Sequence, residues 1–207
     1  MSYVSDFMKL NCSSDVLDIC HIDKSRMNKE ISETMGLYKQ VKNIVINKPY
    51  KDWIILDICS GAHCLNSVFI SHMLNVKVYA IDIEPYKRDF SSVRNMEYIQ
   101  FDIMKFFKFL DMIREKVGYD ENVIIVSSHP CRELAHQIVN FHKTGLSEYM
   151  FIIPCCRGII KNHIPQLVKD KLGRYLTWCY DLSLSCYGDL VRDKRIMSPC
   201  NVIVRSL

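Results

Sequence analysis

The chain has 207 residues, a length that suits one domain with a substantial core. Hydrophobic residues make up 49% and charged residues 24% of it, which excludes a disordered chain, and no apolar run approaches the ~18 residues of a membrane span. The net charge of +4 permits a polyanionic partner without requiring one. The polar start MSYVSDFMKLNCSS lacks an export-signal profile, and the ten cysteines contain no CxxC pair, so a cytoplasmic protein without a zinc ribbon is expected.

Residues 1–25 show no clear period. Over 24–48 the apolar residues Met27, Ile31, Met35, Tyr38, Val41, Ile44 and Val45 recur at three or four positions, which predicts an amphipathic helix ended by Pro49. From there strands and helices alternate. Continuous apolar runs predict strands over 53–59, 76–83, 96–101, 122–127 and 149–154, and helical spacing predicts helices over 65–74, 104–117, 132–142 and 164–184, the last interrupted by Gly173. The end, RIMSPCNVIVRSL, reads as two strands joined near Ser198-Pro199. Alternation of this kind means βαβ units. The expected fold is therefore α/β, a Rossmann-like, doubly wound, mostly parallel sheet with helices on both faces and an antiparallel C-terminal edge strand. Residues 1–50 are expected to form an N-terminal helical extension, and 51–207 the main domain.

In such a sheet, ligands bind outside the carboxyl ends of the strands. Residues 53–64, WIILDICSGAHC, carry Asp57 to the end of the first strand and turn at once through Cys59-Ser60-Gly61-Ala62. One glycine and a nearby carboxylate suit a pyrophosphate poorly and a cationic ligand well. The second strand, in VYAID, ends at Asp82 with Glu84 just beyond, and the third, in YIQFDI, is followed by Asp102. A plainer role for Asp82 and Asp102 is to cap the helices that follow.

The segment from Asp57 through Gly61 resembles motif I of the class I S-adenosylmethionine-dependent methyltransferases, with that family's GxGxG reduced to Ser-Gly-Ala. The resemblance implies that Asp57, Cys59 and Gly61 frame the methionine end of S-adenosylmethionine, Asp82 and Ile83 its ribose, and Asp102 and Ile103 its adenine, with Ser127 in the same cofactor set. The fourth strand runs into SSHPCREL and the fifth into IPCCRG. These segments, with the tail SPCNVIV, look like the branch that holds the tRNA acceptor-stem 2′-O-methyltransferases, over about residues 53–160. That likeness implies RNA as a partner.

Three chemistries are compatible with His129, Cys131, Cys155 and Cys156 at one rim. A thiolate could attack a pyrimidine ring. The four groups could hold a metal, although adjacent cysteines rarely share one zinc. Or His129 could serve as base or positioning group in an acceptor pocket lined by Cys131 and Cys155. The third is the working expectation, with no metal, and plain packing of the thiols stands beside it. Lys87, Arg88, Lys161, Lys169, Lys171, Arg174, Arg192, Lys194 and Arg195 could grip phosphates but read mainly as solvated faces. A methyltransferase-like binding protein without catalysis, and a protein methyltransferase, are the competing functions.

Overall fold

The computed structural model describes residues 2–85, 88–118 and 122–207; Lys87 lies outside them. Among the described residues seven strands form one sheet: β1 (Trp53–Ile58), β2 (Lys77–Asp82), β3 (Met96–Gln100), β4 (Asn122–Ser128), β5 (Tyr149–Ile153), β6 (Asp189–Arg192) and β7 (Val202–Ser206). Their order is β3-β2-β1-β4-β5-β7-β6. The first five strands are parallel, while β7 runs antiparallel to both β5 and β6. The expected α/β architecture is present, and the strand order reverses between β1 and β4.

The helices are α1 (Tyr3–Phe7), α2 (Ser13–Cys20), α3 (Met27–Asn47), α4 (Leu65–Leu74), α5 (Phe106–Val117), α6 (Glu133–Phe141) and α7 (Gln166–Ser185). They divide the core in two. Trp53, Ile55, Ile124 and Val126 face α1–α4, whereas Leu56, Ile58, Val123 and Ile125 face α5–α7. Successive strand residues point to opposite faces, so a strand covered on both sides must be apolar throughout. That is why these runs do not alternate.

Three regions differ from the sequence expectation. Residues 1–25 contain α1 and α2, whose Tyr3, Phe7, Val16 and Cys20 join the same core as the sheet. Both helices are too short to establish a period. The middle of α3 is buried on every side from Ile31 to Tyr38 rather than on one stripe, because α1, α4, the sheet and Ile196 surround it. A Cβ at Gly36 would lie 2.8 Å from Ile196 Cδ1, so the glycine admits that approach. The third difference follows from the second. Ile196 is a buried plug rather than a strand residue, and the antiparallel pair is formed by 189–192 and 202–206 instead of two halves of RIMSPCNVIVRSL. The expected break in α7 is present, with Gly173 at φ +70°. No described helix is long and apolar enough to cross a membrane.

Candidate active site

The turn after β1 is built from left-handed backbone. Cys59, Gly61 and Cys64 have φ of +61°, +68° and +47°, and only Gly61 adopts this without a Cβ penalty. A Cβ on Gly61 would meet open space, so conformation rather than crowding demands the glycine. The turn is tied to β2: Ser60 N donates to Ile81 O at 3.1 Å and Gly61 N to Asp82 Oδ2 at 2.8 Å. Asp82 Oδ1 accepts from Glu84 N at 3.1 Å, and Asp102 Oδ1 accepts from Met104 N at 3.0 Å. Neither carboxylate caps a helix. Both brace the loops that leave their strands, and each oxygen keeps lone pairs for further donors.

These strand ends surround a cavity of about 570 Å³. Of the residues expected to hold a cofactor, Cys59, Gly61, Asp82, Ile83, Asp102 and Ile103 line it. Its walls mix acids with apolar groups: among the described residues of the lining, Glu30, Glu33, Asp82 and Asp102 face a single arginine or lysine, Arg26, and Phe101, Ile103 and Met104 supply apolar surface. Ile83 is 59% exposed at this wall, a large aliphatic group left uncovered. A cavity of this size and lining suits a small molecule that carries positive charge and an aromatic ring.

Two expected cofactor residues lie elsewhere. Asp57 is fully buried beneath the turn, where its oxygens accept from Ser67 Oγ at 2.7 Å and Asn66 Nδ2 at 3.2 Å. It shares a face of the sheet with Trp53 and Ile55, and its oxygens are taken by α4 beneath the turn. Burial pushes its pKa up to about 6, against the pull of the Ser67 and Asn66 hydrogen bonds. Asn66 also accepts from Thr34 Oγ1 at 2.7 Å and donates to Ser128 Oγ at 3.0 Å, so Asp57 anchors a chain of polar groups joining α3, α4 and β4. The other residue is Ser127, whose Oγ is buried without a partner among the described residues. It shares a face with Val123 and Ile125 and is not among the residues that line the cavity, whereas Ser128, on the other face, is.

His129 does line the cavity, held at φ +66° just past β4. Its Nε2 lies 2.7 Å from Glu33 Oε2, a carboxylate that is 1% exposed and whose Oε1 has no partner among the described residues. Glu33 was not anticipated from the sequence. It sits inside the apolar repeat of a long helix and resembles an ordinary surface acid until the sheet is folded beneath it.

Cys131 and Cys155 are not part of the cavity lining. They stand behind His129, and both thiols donate to its carbonyl oxygen, at 3.5 and 3.6 Å. Cys155 and Cys156 border a separate hollow with Arg132, Arg157, Tyr175 and Cys200. Burial pushes the Cys131 and Cys155 thiols up, whereas hydrogen bonds from Cys155 and Cys131 hold Cys156 below its usual value. Arg195, considered above for phosphate, is instead committed to Asp193 and to the Tyr3 hydroxyl.

Residues 26–163 match the family described as "Methyltransferase domain", which is more than half of the chain, and the chain belongs to that family. Among solved structures it is similar to a mutant of MtNAS, with 16% identity, a TM-score of 0.40 and coverage of 72% of this chain and 56% of that one. It is also similar to the apo form of the S-adenosylmethionine-dependent methyltransferase SibL, with 9% identity, a TM-score of 0.42 and coverage of 92% and 60%. The chain thus spans less than two thirds of the length of either. No curated protein matches it.

Proposed function

We propose that this methyltransferase-family chain uses S-adenosylmethionine and acts on RNA in the cytoplasm. The observation that carries the reading is the convergence of Asp82, Asp102 and Glu33 on one cavity beside the left-handed turn at Gly61. The lining fits the cofactor's chemistry. Asp82 offers acceptors to ribose hydroxyls, and Asp102 offers one to an adenine amine. Ile83, Ile103 and Phe101 cover the ring, and the acids, with the unpartnered Glu33 Oε1 among them, favour a cationic methionine end. Asp57 acts from below, holding Asn66 and Ser67 and through them the start of α4.

When bound, S-adenosylmethionine supplies a methyl group on a sulfonium, already activated for transfer. The chain's own task is then positioning and proton removal. Glu33 accepts the Nε2–H of His129, which fixes the tautomer and leaves Nδ1 to take a proton from an acceptor hydroxyl or amine. RNA is supported by the basic groups beside this rim. Arg132 and Arg157 are exposed at the hollow next to His129, and Arg157 also borders a second hollow with Lys169 and Arg174. Ten unpaired thiols fit a reducing compartment.

A second reading, a binding protein without catalysis, draws on the fact that both Asp82 oxygens already serve the backbone. Calorimetric titration separates the two. Wild-type protein should bind S-adenosylmethionine and S-adenosylhomocysteine, and Asp82→Ala should bind roughly 100-fold more weakly for the loss of charge-assisted hydrogen bonds. No binding by well-folded wild-type protein, with candidate RNA present, would leave the second reading standing. Crosslinking to RNA that weakens steeply with salt would favour RNA over a protein acceptor.

A further inference from the structure

We infer that Cys131, Cys155 and Cys156 form a binding site for a thiophilic d10 cation, Zn(II) or Cu(I), with three thiolate ligands and an open fourth position. Two separate strand ends bring the sulfurs together. The chain leaves β4 through His129 at φ +66° and Arg132 at φ +48°, two left-handed residues that flank Cys131 and turn it back toward β5. Beyond β5, Pro154 ends the strand and the next two residues are cysteines. The Sγ atoms of Cys131 and Cys155 are 3.1 Å apart, those of Cys131 and Cys156 3.5 Å, and those of Cys155 and Cys156 3.4 Å.

A tetrahedral ion with metal–sulfur bonds of about 2.3 Å spaces its ligands at about 3.8 Å. The triangle needs to open by only about 0.3–0.7 Å to match that spacing. Adjacency of Cys155 and Cys156, which argues against a shared ion in the sequence alone, is no obstacle once both sulfurs turn the same way.

Packing alone does not account for the cluster. The thiols that fill the core are Cys20, Cys64, Cys179 and Cys186, each buried, whereas Cys131 and Cys156 are exposed and Cys155 is half-buried. Unlike a buried thiol that packs as a small hydrophobe, these can be reached by an ion from solvent. Among the described residues, the group that can converge on one ion holds sulfur donors only. An all-sulfur set selects soft cations over calcium or magnesium. Arg132 borders the same hollow and offsets the negative charge of the thiolates. On binding, the three thiols release three protons as three metal–sulfur bonds form. A fourth position would be left for a water or a ligand, as in sites that exchange one. The inference does not depend on the cofactor reading, because the thiols lie outside that cavity.

The test uses the full chain, reduced and kept anaerobic. Native mass spectrometry after addition of Zn(II) alone, and separately of Cu(I) alone, should find one ion per chain. Cys131→Ser, Cys155→Ser and Cys156→Ser should each weaken binding roughly 10-fold or more, while Cys12→Ser should not. In case the variants fold poorly, the wild-type protein supplies a second readout. Bound Zn(II) should block alkylation of these three cysteines, read by peptide mapping. Absence of a retained ion on folded, reduced protein would overturn the inference, as would equal binding by all four variants. A Cys131–Cys155 disulfide that forms in preference to metal uptake would overturn it too.

Discussion

The carboxyl rim of the sheet has two halves that are held in different ways. At the ends of β2 and β3, carboxylates are fixed by backbone N–H groups two residues on, Asp82 by Glu84 and Asp102 by Met104, and Asp82 also reaches across to hold the turn at Gly61 after β1. At the end of β4, His129 is fixed by Glu33, 96 positions away on another element, and Cys131 meets Cys155 across 24. The first half is made of short turns after adjacent parallel strands, joined by the bond from Gly61 to Asp82. The second is complete only once α3 and β5 have been laid beside β4. Strand-end motifs point to both halves, but the pairing of His129 with Glu33 is visible only in the assembled fold.

The contrast is sharpened most by His129. His129→Ala should lower the rate of methyl incorporation into an RNA pool by about 10²–10⁴-fold, with cofactor affinity by calorimetry little changed. Parallel loss of both would make the two halves one binding unit and remove the base from His129. A smaller effect belongs to Asp57, beneath the first half. Its folded-state pKa of about 6 lies above the ordinary 3.8, so the folded protein holds this proton more tightly than the unfolded chain. Stability should therefore fall as pH rises from about 4 to about 6 and level off above, by about 3 kcal/mol from this group. Urea melts across that range should show the stability of wild type relative to Asp57→Asn falling by that amount as the pH rises. A constant difference would mean that Asp57 ionises in the folded state as freely as in solution. The smallest effect is expected at Gly61. Gly61→Ala should cost about 1–2 kcal/mol in chemical denaturation, set by its left-handed φ with no clash to relieve. A much larger loss would mean that the turn also depends on close approach.

The sheet was legible because strands buried on both faces leave continuous apolar runs, and the helices between them have a clear period. The position of Asp82 and Asp102 at one rim was legible because a strand end is a fixed place. Asp57 and Ser127 are fully buried and do not line the cavity, since proximity to a strand end does not say how deep a side chain sits. Glu33 had no local signal at all. The mislocated C-terminal pair has a similar cause, because the apolar Ile196 that suggested a strand fills space against Gly36 instead.

The position of β7 has a consequence for how the protein comes to be made. Residues 202–206 lie between β5 and β6 and hydrogen-bond to both, yet they follow every other strand in the chain. β5 is therefore an open edge until residues 202–206 are in place. During that interval the growing chain presents unpaired N–H and C=O groups that a second copy could join. Protection from self-association at this edge waits on β7.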